Sequence, residues 1–277
     1  MIVILISTML MTVVPCWSLD IDCILIGQSL QAEIGARFVE VVGLDKVNKQ
    51  QSQVSQLRTV SVRGMGVSGA WSVDSDHNTR DLSAELSSLR DLDLSDSLLT
   101  NWSQPATIIT QLRLETIDLS GNLLGINTSQ SEASVCKDNR SEASIPSMPT
   151  SKHLILGNML YSGYDWTQIM SIVTMTPSLT VLQVHCNHLT HITSFNVDLL
   201  ARLTELDLDG NKLTDWAQLQ PLSQLPQLKH LRLNDNQLTS ISVVPGSFPQ
   251  LETLQLTDNN ICSWKDVGSL DNLQLAS

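Results

Sequence analysis

The sequence predicts an α/β solenoid, and three observations support this prediction. The first is a recurring segment whose clearest copy, LTELDLDGNKL from Leu203 to Leu213, has Leu at offsets 0, 3, 5 and 10 and Asn at offset 8. The second is that the clearest copies begin 24, 25 and 23 residues apart. The third is a composition of 42% apolar but only 4% aromatic residues, so that leucine supplies the core. This is the leucine-rich-repeat pattern, in which units stack because one unit cannot bury its apolar face alone.

The centre of each copy predicts a short strand followed by a turn. Leu206 and Leu208 are two residues apart, so they point to one side of a strand while their neighbours point to the other. Asn211 follows where the chain must turn, and its amide can bond backbone groups that the bending strand leaves unpaired. The pattern therefore predicts a parallel sheet on the concave side and helical or irregular segments on the convex side.

Eight units can be placed along the chain. Five complete matches carry Asn at offset 8, and they begin at Leu114, Leu179, Leu203, Leu228 and Leu251. Two earlier copies have Met65 and Ser97 at the Asn position. A degenerate unit keeps a strand around Leu154 and Leu156. These units place the leucine-rich-repeat domain at residues 57–277.

The remaining segments depart from the repeat pattern. Residues 1–33 begin with an apolar run, Ile2 to Val14, which is too short to span a bilayer and is either signal-like or a mispredicted start. Residues 34–56 are predicted to be a linker and lead-in segment. Residues 127–150, rich in Ser and Asn, are predicted to form an extruded insertion within the repeats. A last unit begins but stops with the chain, so we expect the domain to be truncated at its carboxyl end.

Charge and cysteine usage narrow the class of partner. The net charge of −12 argues against nucleic acid and against anionic membranes, because both need clustered Lys and Arg. A protein partner with a basic or mixed surface is favoured instead. The five cysteines form no paired cluster flanking the repeats, which indicates a reducing compartment.

Four tryptophans follow a residue that commonly caps helices. The pairs are Asn101-Trp102, Asp165-Trp166, Asp215-Trp216 and Ser263-Trp264. Asn, Asp and Ser side chains accept the unpaired amides of a first helical turn. The four copies predict convex-side helices whose tryptophans pack inward, rather than a ligand pocket.

One segment raises the possibility of zinc chemistry. HCNHLTH, from His185 to His191, holds three His and one Cys within seven residues. The repeat pattern explains the same segment without metal, since Asn187 is the repeat Asn and strand alternation sends neighbouring side chains apart. No nucleophile elbow, phosphate-binding glycine loop or HExxH motif occurs. We therefore expect no enzyme activity, no catalytic or metal-binding residues and no cofactor.

The concave face is the predicted partner-binding surface, because solenoids bind along it. Its acids face only two bases, Arg63 and Arg232. An ordinary explanation is that solvated strand faces need polar residues, but nine acids against two bases favour an interaction role. The candidate binding residues are Asp91, Asp93, Asp96, Asp118, Glu205, Asp207, Asp209, Arg232, Asp235 and Asp258.

The segment VGLDKVNKQQSQVSQLRTVSVRGMGVSGA, from Val42 to Ala70, resembles the lead-in to the repeats of the tubulin-specific chaperone E family, also called tubulin-folding cofactor E. LTDWAQLQPLSQLPQLKHLRLNDNQL and FPQLETLQLTDNNICSW continue the resemblance, which covers roughly residues 34–277. It implies a non-enzymatic cytoplasmic, cytoskeleton-associated chaperone that binds α-tubulin. The resemblance also implies that other tubulin-folding cofactors are partners in assembling and dismantling the tubulin heterodimer.

Two features of this family are not carried over to the chain. Its members also have an amino-terminal CAP-Gly domain, which reads the α-tubulin tail, and a carboxy-terminal ubiquitin-like domain. The sequence shows a motif of neither, so only the central repeat module is carried over. The alternative is a secreted or cell-surface leucine-rich-repeat binding module, which is supported by the apolar start and by glycosylation sequons at Asn101, Asn127 and Asn139.

Overall fold

The computed structural model describes residues 11–13, 32–34, 37–39, 54–65, 67–70, 82–125, 145–160 and 164–273. These residues contain twelve short strands, which in chain order are β1 (Met11–Val13), β2 (Ala32–Ile34), β3 (Arg37–Val39), β4 (Thr59–Ser61), β5 (Val67–Ala70), β6 (Asp91–Asp93), β7 (Thr116–Asp118), β8 (His153–Ile155), β9 (Val181–Gln183), β10 (Glu205–Asp207), β11 (His230–Arg232) and β12 (Thr253–Gln255). β4 and β6 to β12 form one eight-stranded sheet, while β1 pairs with β5 and β2 pairs with β3.

The eight-stranded sheet is parallel throughout, and its strand order follows the chain. Neighbouring strands pair residue for residue, so Leu206 lies opposite Leu182 on one side and Leu231 on the other. Each repeat offset therefore forms a column across the sheet. The central column is buried in β4 and in every strand from β6 to β11, and it is partly buried in β12. The predicted leucine-rich-repeat solenoid is confirmed.

Helical segments connect many of the strands. The described residues contain four α-helices, which are α1 (Leu82–Glu85), α2 (Ser103–Gln111), α3 (Trp166–Val173) and α4 (Trp264–Gly268). Short 3-10 helices lie at Val54–Gln56, Val197–Leu200, Trp216–Leu219, Leu222–Gln224 and Ser269–Asn272. None of the helices in the described part of the chain is long and apolar enough to cross a membrane.

Three of the four predicted helix caps form as expected. The Asp165 side chain accepts a hydrogen bond from the Gln168 amide, Asp215 from Ala217, and Ser263 from Lys265. Asn101 differs, because its side chain accepts a hydrogen bond from the Ser103 hydroxyl and does not cap a backbone amide of α2. The Gln104 carboxamide oxygen instead accepts the Asn101 amide, at 3.1 Å.

Three of the four tryptophans pack inward, and the fourth does not. Trp166 contacts Phe195 with ring centroids 5.7 Å apart, and Trp216 contacts Phe248 at 6.4 Å. In both pairs the phenylalanine comes from the following unit. Trp264 is 88% exposed, contrary to the prediction, because the described residues contain no following unit that could cover it.

The predicted segments outside the repeats are only partly described. The apolar start at 1–33 and the lead-in at 34–56 lie outside the described residues, apart from the short elements named above. The same holds for the predicted insertion up to residue 144. Its last residues pack into the repeats, since Met148 is buried and its amide donates to the Met175 carbonyl at 2.8 Å.

Candidate functional site

Buried or partly buried asparagine side chains bind consecutive units together at the ends of the strands. The amide nitrogen of Asn211 donates to the carbonyls of Val184, in the preceding unit, and Leu208, in its own unit, at 3.1 and 2.9 Å. Its oxygen accepts the amide of Leu189 at 3.0 Å. The same two contacts recur along the solenoid: each side-chain nitrogen donates to a backbone carbonyl of the preceding unit, and each side-chain oxygen accepts a backbone amide from that unit. The asparagines that make them, here called the ladder asparagines, are Asn122, Asn187, Asn211, Asn236 and Asn259. This asparagine ladder holds the concave face in place.

The residue before each ladder position has a left-handed backbone in all eight units. These residues are Gly64, Asp96, Gly121, Asn158, Cys186, Gly210, Asp235 and Asp258, with φ between 48° and 68°. Gly, Asn and Asp tolerate this conformation better than other residues do. Asp209, which the sequence predicts on a strand, lies in the turn after β10. Three other predicted binding acids, Asp96, Asp235 and Asp258, lie in the turn column with positive φ and not on a strand as expected. The backbone alone accounts for an Asp at these positions.

The concave acids fall into two groups. The first acidic patch comprises Asp91, Asp93, Asp96 and Asp118, on β6, β7 and the turn after β6. The second acidic patch comprises Glu205, Asp207, Asp209, Asp235 and Asp258, on β10 and in the turns after β10, β11 and β12. β8 and β9 lie between them and carry no acid. Neighbouring strands lie about 4.8 Å apart, so β7 and β10 are separated by about 14 Å.

Hydrogen bonds from neighbouring side chains orient the first acidic patch. The Asp93 carboxylate accepts the hydroxyls of Ser61 and Ser95, each at 2.6 Å, and the Ser95 amide at 2.9 Å. Burial acts to raise the pKa of Asp93, but these hydrogen bonds and the charge of Arg63 lower it below its ordinary value. Arg63 itself donates to Asp96 at 2.8 Å. The ionised form of Asp93 is therefore favoured by its surroundings.

In the second acidic patch, Arg232 lies between two acids of its own chain. Its guanidinium nitrogens are 3.5 Å from a carboxylate oxygen of Asp207 and 3.9 Å from one of Glu205. The Asp207 side chain is only 8% exposed, against 42% for Arg232. Asp209 accepts the backbone amide of Asn234 at 2.6 Å. Asp235 and Asp258 are exposed and are therefore the members of this patch most open to a partner.

The acids of the second patch also act on a thiol. Cys186 is exposed in the turn after β9. Burial of the sulfur is the main cause that raises its pKa, followed by the charges of Asp235, Asp207 and Asp209. The thiol form of Cys186 is therefore favoured over the reactive thiolate.

The opposite edge of the sheet carries charges of both signs, and most of them form ion pairs. Directly before their strands, Glu115 lies 3.9 Å from Arg90 and 3.1 Å from Lys152, and Lys229 lies 2.5 Å from Glu252. The concave face and the turns after the strands differ from this edge, because nine acids there stand against only two bases. The sequence analysis did not predict these ion pairs. Their signal was visible in the sequence, because residues of opposite charge stand directly before neighbouring strands.

The described residues contain no cluster of side chains suited to binding a metal ion. No three His, Cys, Asp or Glu side chains gather in an arrangement that could hold an ion. Within the HCNHLTH segment, Cys186 and His188 both have positive φ, and the Nδ1 atom of His191 is 2.9 Å from the Thr190 hydroxyl. Repeat geometry and local hydrogen bonds account for this segment.

Known proteins share both the repeat and its sequence. A family model described as leucine rich repeat matches residues 201–261. Tubulin-specific chaperone E of Bos taurus is 33% identical over an aligned length of 249 residues, and the match covers 87% of this chain and 43% of that protein. Tubulin-folding cofactor E of Arabidopsis thaliana is 31% identical over an aligned length of 207 residues, and the match covers 73% of this chain and 35% of that protein. The chain thus spans less than half the length of these relatives.

Among solved structures, human trophoblast glycoprotein superimposes with a TM-score of 0.49 at 20% identity, covering 69% of this chain and 68% of that one. The resemblance drawn from the residues is confirmed by the curated relatives, which match well beyond the 61 residues that the repeat model covers. Over its repeats, this chain is similar to tubulin-specific chaperone E.

Proposed function

We propose that this chain is the repeat module of a non-enzymatic tubulin-folding chaperone. In this role it binds α-tubulin and partner cofactors while the tubulin heterodimer is assembled or dismantled in the cytoplasm. The observation that carries the proposal is the 33% identity to tubulin-specific chaperone E across 87% of the chain. Such similarity extends through the turns and convex segments, which differ among unrelated repeat proteins.

The concave face supplies the contact surface in this proposal. Solenoids bind extended partners along this face. Its two acidic patches attract basic surface over distances of about 10 Å at moderate salt. The ion-paired residues directly before the strands provide no such attraction. In this proposal the basic surface of the partner therefore lies over the strands and the turns that follow them.

Titration of purified tubulin heterodimer against the chain tests this proposal. Asp118→Asn with Asp235→Asn removes one charge from each patch while preserving side-chain shape. Two such charges contribute about 0.3–1 kcal/mol each, so affinity should weaken by about threefold to thirtyfold. The matched control, Glu115→Gln with Glu252→Gln, removes two charges from the paired edge and should bind like the wild type.

Salt dependence provides the second readout. Wild-type affinity should fall as salt rises, and the fall should be smaller for the patch variant. Absence of any tubulin binding by the wild-type chain would overturn the proposed function. Equal affinities for the folded patch variant and its control would move the contact away from the concave acids.

Cytoplasmic localisation forms part of the same proposal. The alternative secreted module needs accessible sequons, but the Asn101 side chain is half-buried, accepts the Ser103 hydroxyl and precedes the buried Trp102. A carboxy-terminally tagged chain should stay in the cytoplasm of cultured cells without glycans. Secretion of a product whose mass falls on glycosidase treatment would favour the alternative.

A further inference from the structure

Three leucines occupy one exposed column of the repeats. Leu98, Leu123 and Leu160 each follow the ladder position of their unit, after β6, β7 and β8, and are 50%, 45% and 56% exposed. Four other units place polar residues in this column, namely His188, Lys212, Gln237 and Asn260. The column therefore faces solvent, and the repeat does not need an apolar residue there.

The three leucines are neighbours across the solenoid. The Leu123 amide donates to the Leu99 carbonyl at 2.9 Å, and the Leu160 amide donates to the Asn122 carbonyl at 2.9 Å. The three turns thus lie side by side at roughly the strand spacing of about 4.8 Å. Single exposed apolar residues are common on protein surfaces, but a contiguous row of them indicates an interaction site. We call this row the leucine stripe (Leu98, Leu123 and Leu160).

Acidic side chains lie in the same units as the leucine stripe. Asp96 is two residues before Leu98, and Asp118 ends the strand that leads to Leu123. The first acidic patch therefore adjoins an apolar row, whereas the second acidic patch is followed by Lys212, Gln237 and Asn260. The two patches differ in chemistry, and only the first combines charge with apolar surface.

We propose that the leucine stripe and the first acidic patch together dock a segment of a protein partner in which apolar side chains lie beside Lys or Arg. The apolar side chains pack on the stripe, and the cations meet Asp118 and compete with Arg63 for Asp96. The charge of the chain argues against other occupants. A second copy docked by two-fold symmetry would bring two acidic patches together, and an anionic membrane would be repelled by a chain of net charge −12.

The inference rests on the proposed function in one respect, which is that purified tubulin heterodimer serves as the probe. The stripe variant combines Leu98→Gln, Leu123→Gln and Leu160→Gln in the full chain. Gln237 occupies the same column in its own unit, so glutamine is compatible with the backbone there. The matched control, Val244→Gln with Val267→Gln, changes apolar residues that are 52% and 42% exposed outside the stripe.

The stripe variant should bind tubulin about 30-fold more weakly than the wild type, because three partly exposed leucines lose their apolar contacts. It should keep its melting temperature and its salt dependence, and the control should bind within about twofold of the wild type. Asp96→Asn with Asp118→Asn should instead weaken binding and flatten the salt dependence. Leu98→Gln and Leu123→Gln as single variants, each expected to weaken binding about threefold, replace the triple variant if it fails to fold.

The other outcomes are distinguishable. If the wild type does not bind tubulin, both the proposed function and this docking site fail. If the wild type binds and the folded stripe variant binds within twofold of it, only the docking site is overturned. A wild-type dimer that the stripe variant converts to a monomer would place a second copy on the stripe. Lost stability with unchanged affinity would place another segment of this chain there, and either result overturns the inference.

Discussion

Replacement of Asn211 by alanine should destabilise the repeat domain by about 2–4 kcal/mol. This side chain is buried and bridges the units of β9 and β10. Its nitrogen donates to the carbonyls of Val184 and Leu208, and its oxygen accepts the amides of Asn187 and Leu189 at 3.1 and 3.0 Å. Alanine removes all four of these hydrogen bonds and adds no new partner.

The magnitude follows from the groups that remain. The amides of Asn187 and Leu189 both lose this acceptor, and a buried donor left unsatisfied costs about 1–3 kcal/mol. Carbonyls have a second lone pair and tolerate the loss better. Water entering the turn would offset part of the cost, so the two amides together account for about 2–4 kcal/mol.

Urea unfolding followed by circular dichroism measures this loss. Asn260→Ala is the matched control, because Asn260 is exposed in the column after the ladder and its loss should stay within about 0.5 kcal/mol. Asn211→Asp keeps an acceptor but turns it toward carbonyl oxygens, so it should destabilise at least as much as alanine. Identical unfolding midpoints for Asn211→Ala and Asn260→Ala would refute the structural role given to the ladder.

Three further predictions concern the core and the patches. Leu206→Ala removes a fully buried strand residue and should cost about 2–5 kcal/mol in the same unfolding assay; a wild-type midpoint would contradict its core position. Because the pKa of Asp93 is lowered below 3.8, its stabilisation is present above pH 3.8 and is lost as pH falls through the lowered pKa. Asp93→Asn should thus be less stable than wild type at pH 7, and the difference in unfolding free energy should disappear in strong acid. A difference that stays constant with pH would show that ionised Asp93 does not stabilise the fold. Asp235→Asn should speed alkylation of Cys186 at pH 8, measured by peptide-resolved labelling, because one charge that raises the thiol pKa is removed; an unchanged rate would rule out that charge as a cause.

The fold could be predicted from the sequence because each determinant is local. Leu206 and Leu208 alternate with polar residues, and Asn211 follows at a fixed distance, so one unit already specifies a strand and a turn. The units then stack because each one can bury its apolar face only against a neighbouring unit. The positive φ of Asp96, Asp235 and Asp258 was also encoded locally, although these residues were first placed on strands.

The arrangement of the candidate site depends on how units are placed relative to one another. A count of nine acids along the chain suggests one acidic face, but β8 and β9 divide it into two patches. Arg232 counts as a free cation in the sequence, whereas the structure places it between Glu205 and Asp207 of the neighbouring unit. Such pairings depend on cross-strand register, which sequence reasoning used for apolar positions and not for charges.

The same register shows where function can be sought in a repeat protein. Positions that the repeat requires, such as the ladder asparagines and the buried leucines, stabilise the fold. Their residues would be similar whichever partner the protein binds. Positions that the repeat leaves open are informative when several neighbouring units depart in the same direction. The acids of β6 and β7 and the leucines at 98, 123 and 160 both depart in this way, and they do so in overlapping units. Two independent departures on one stretch of surface argue for a partner there more strongly than the overall negative charge does.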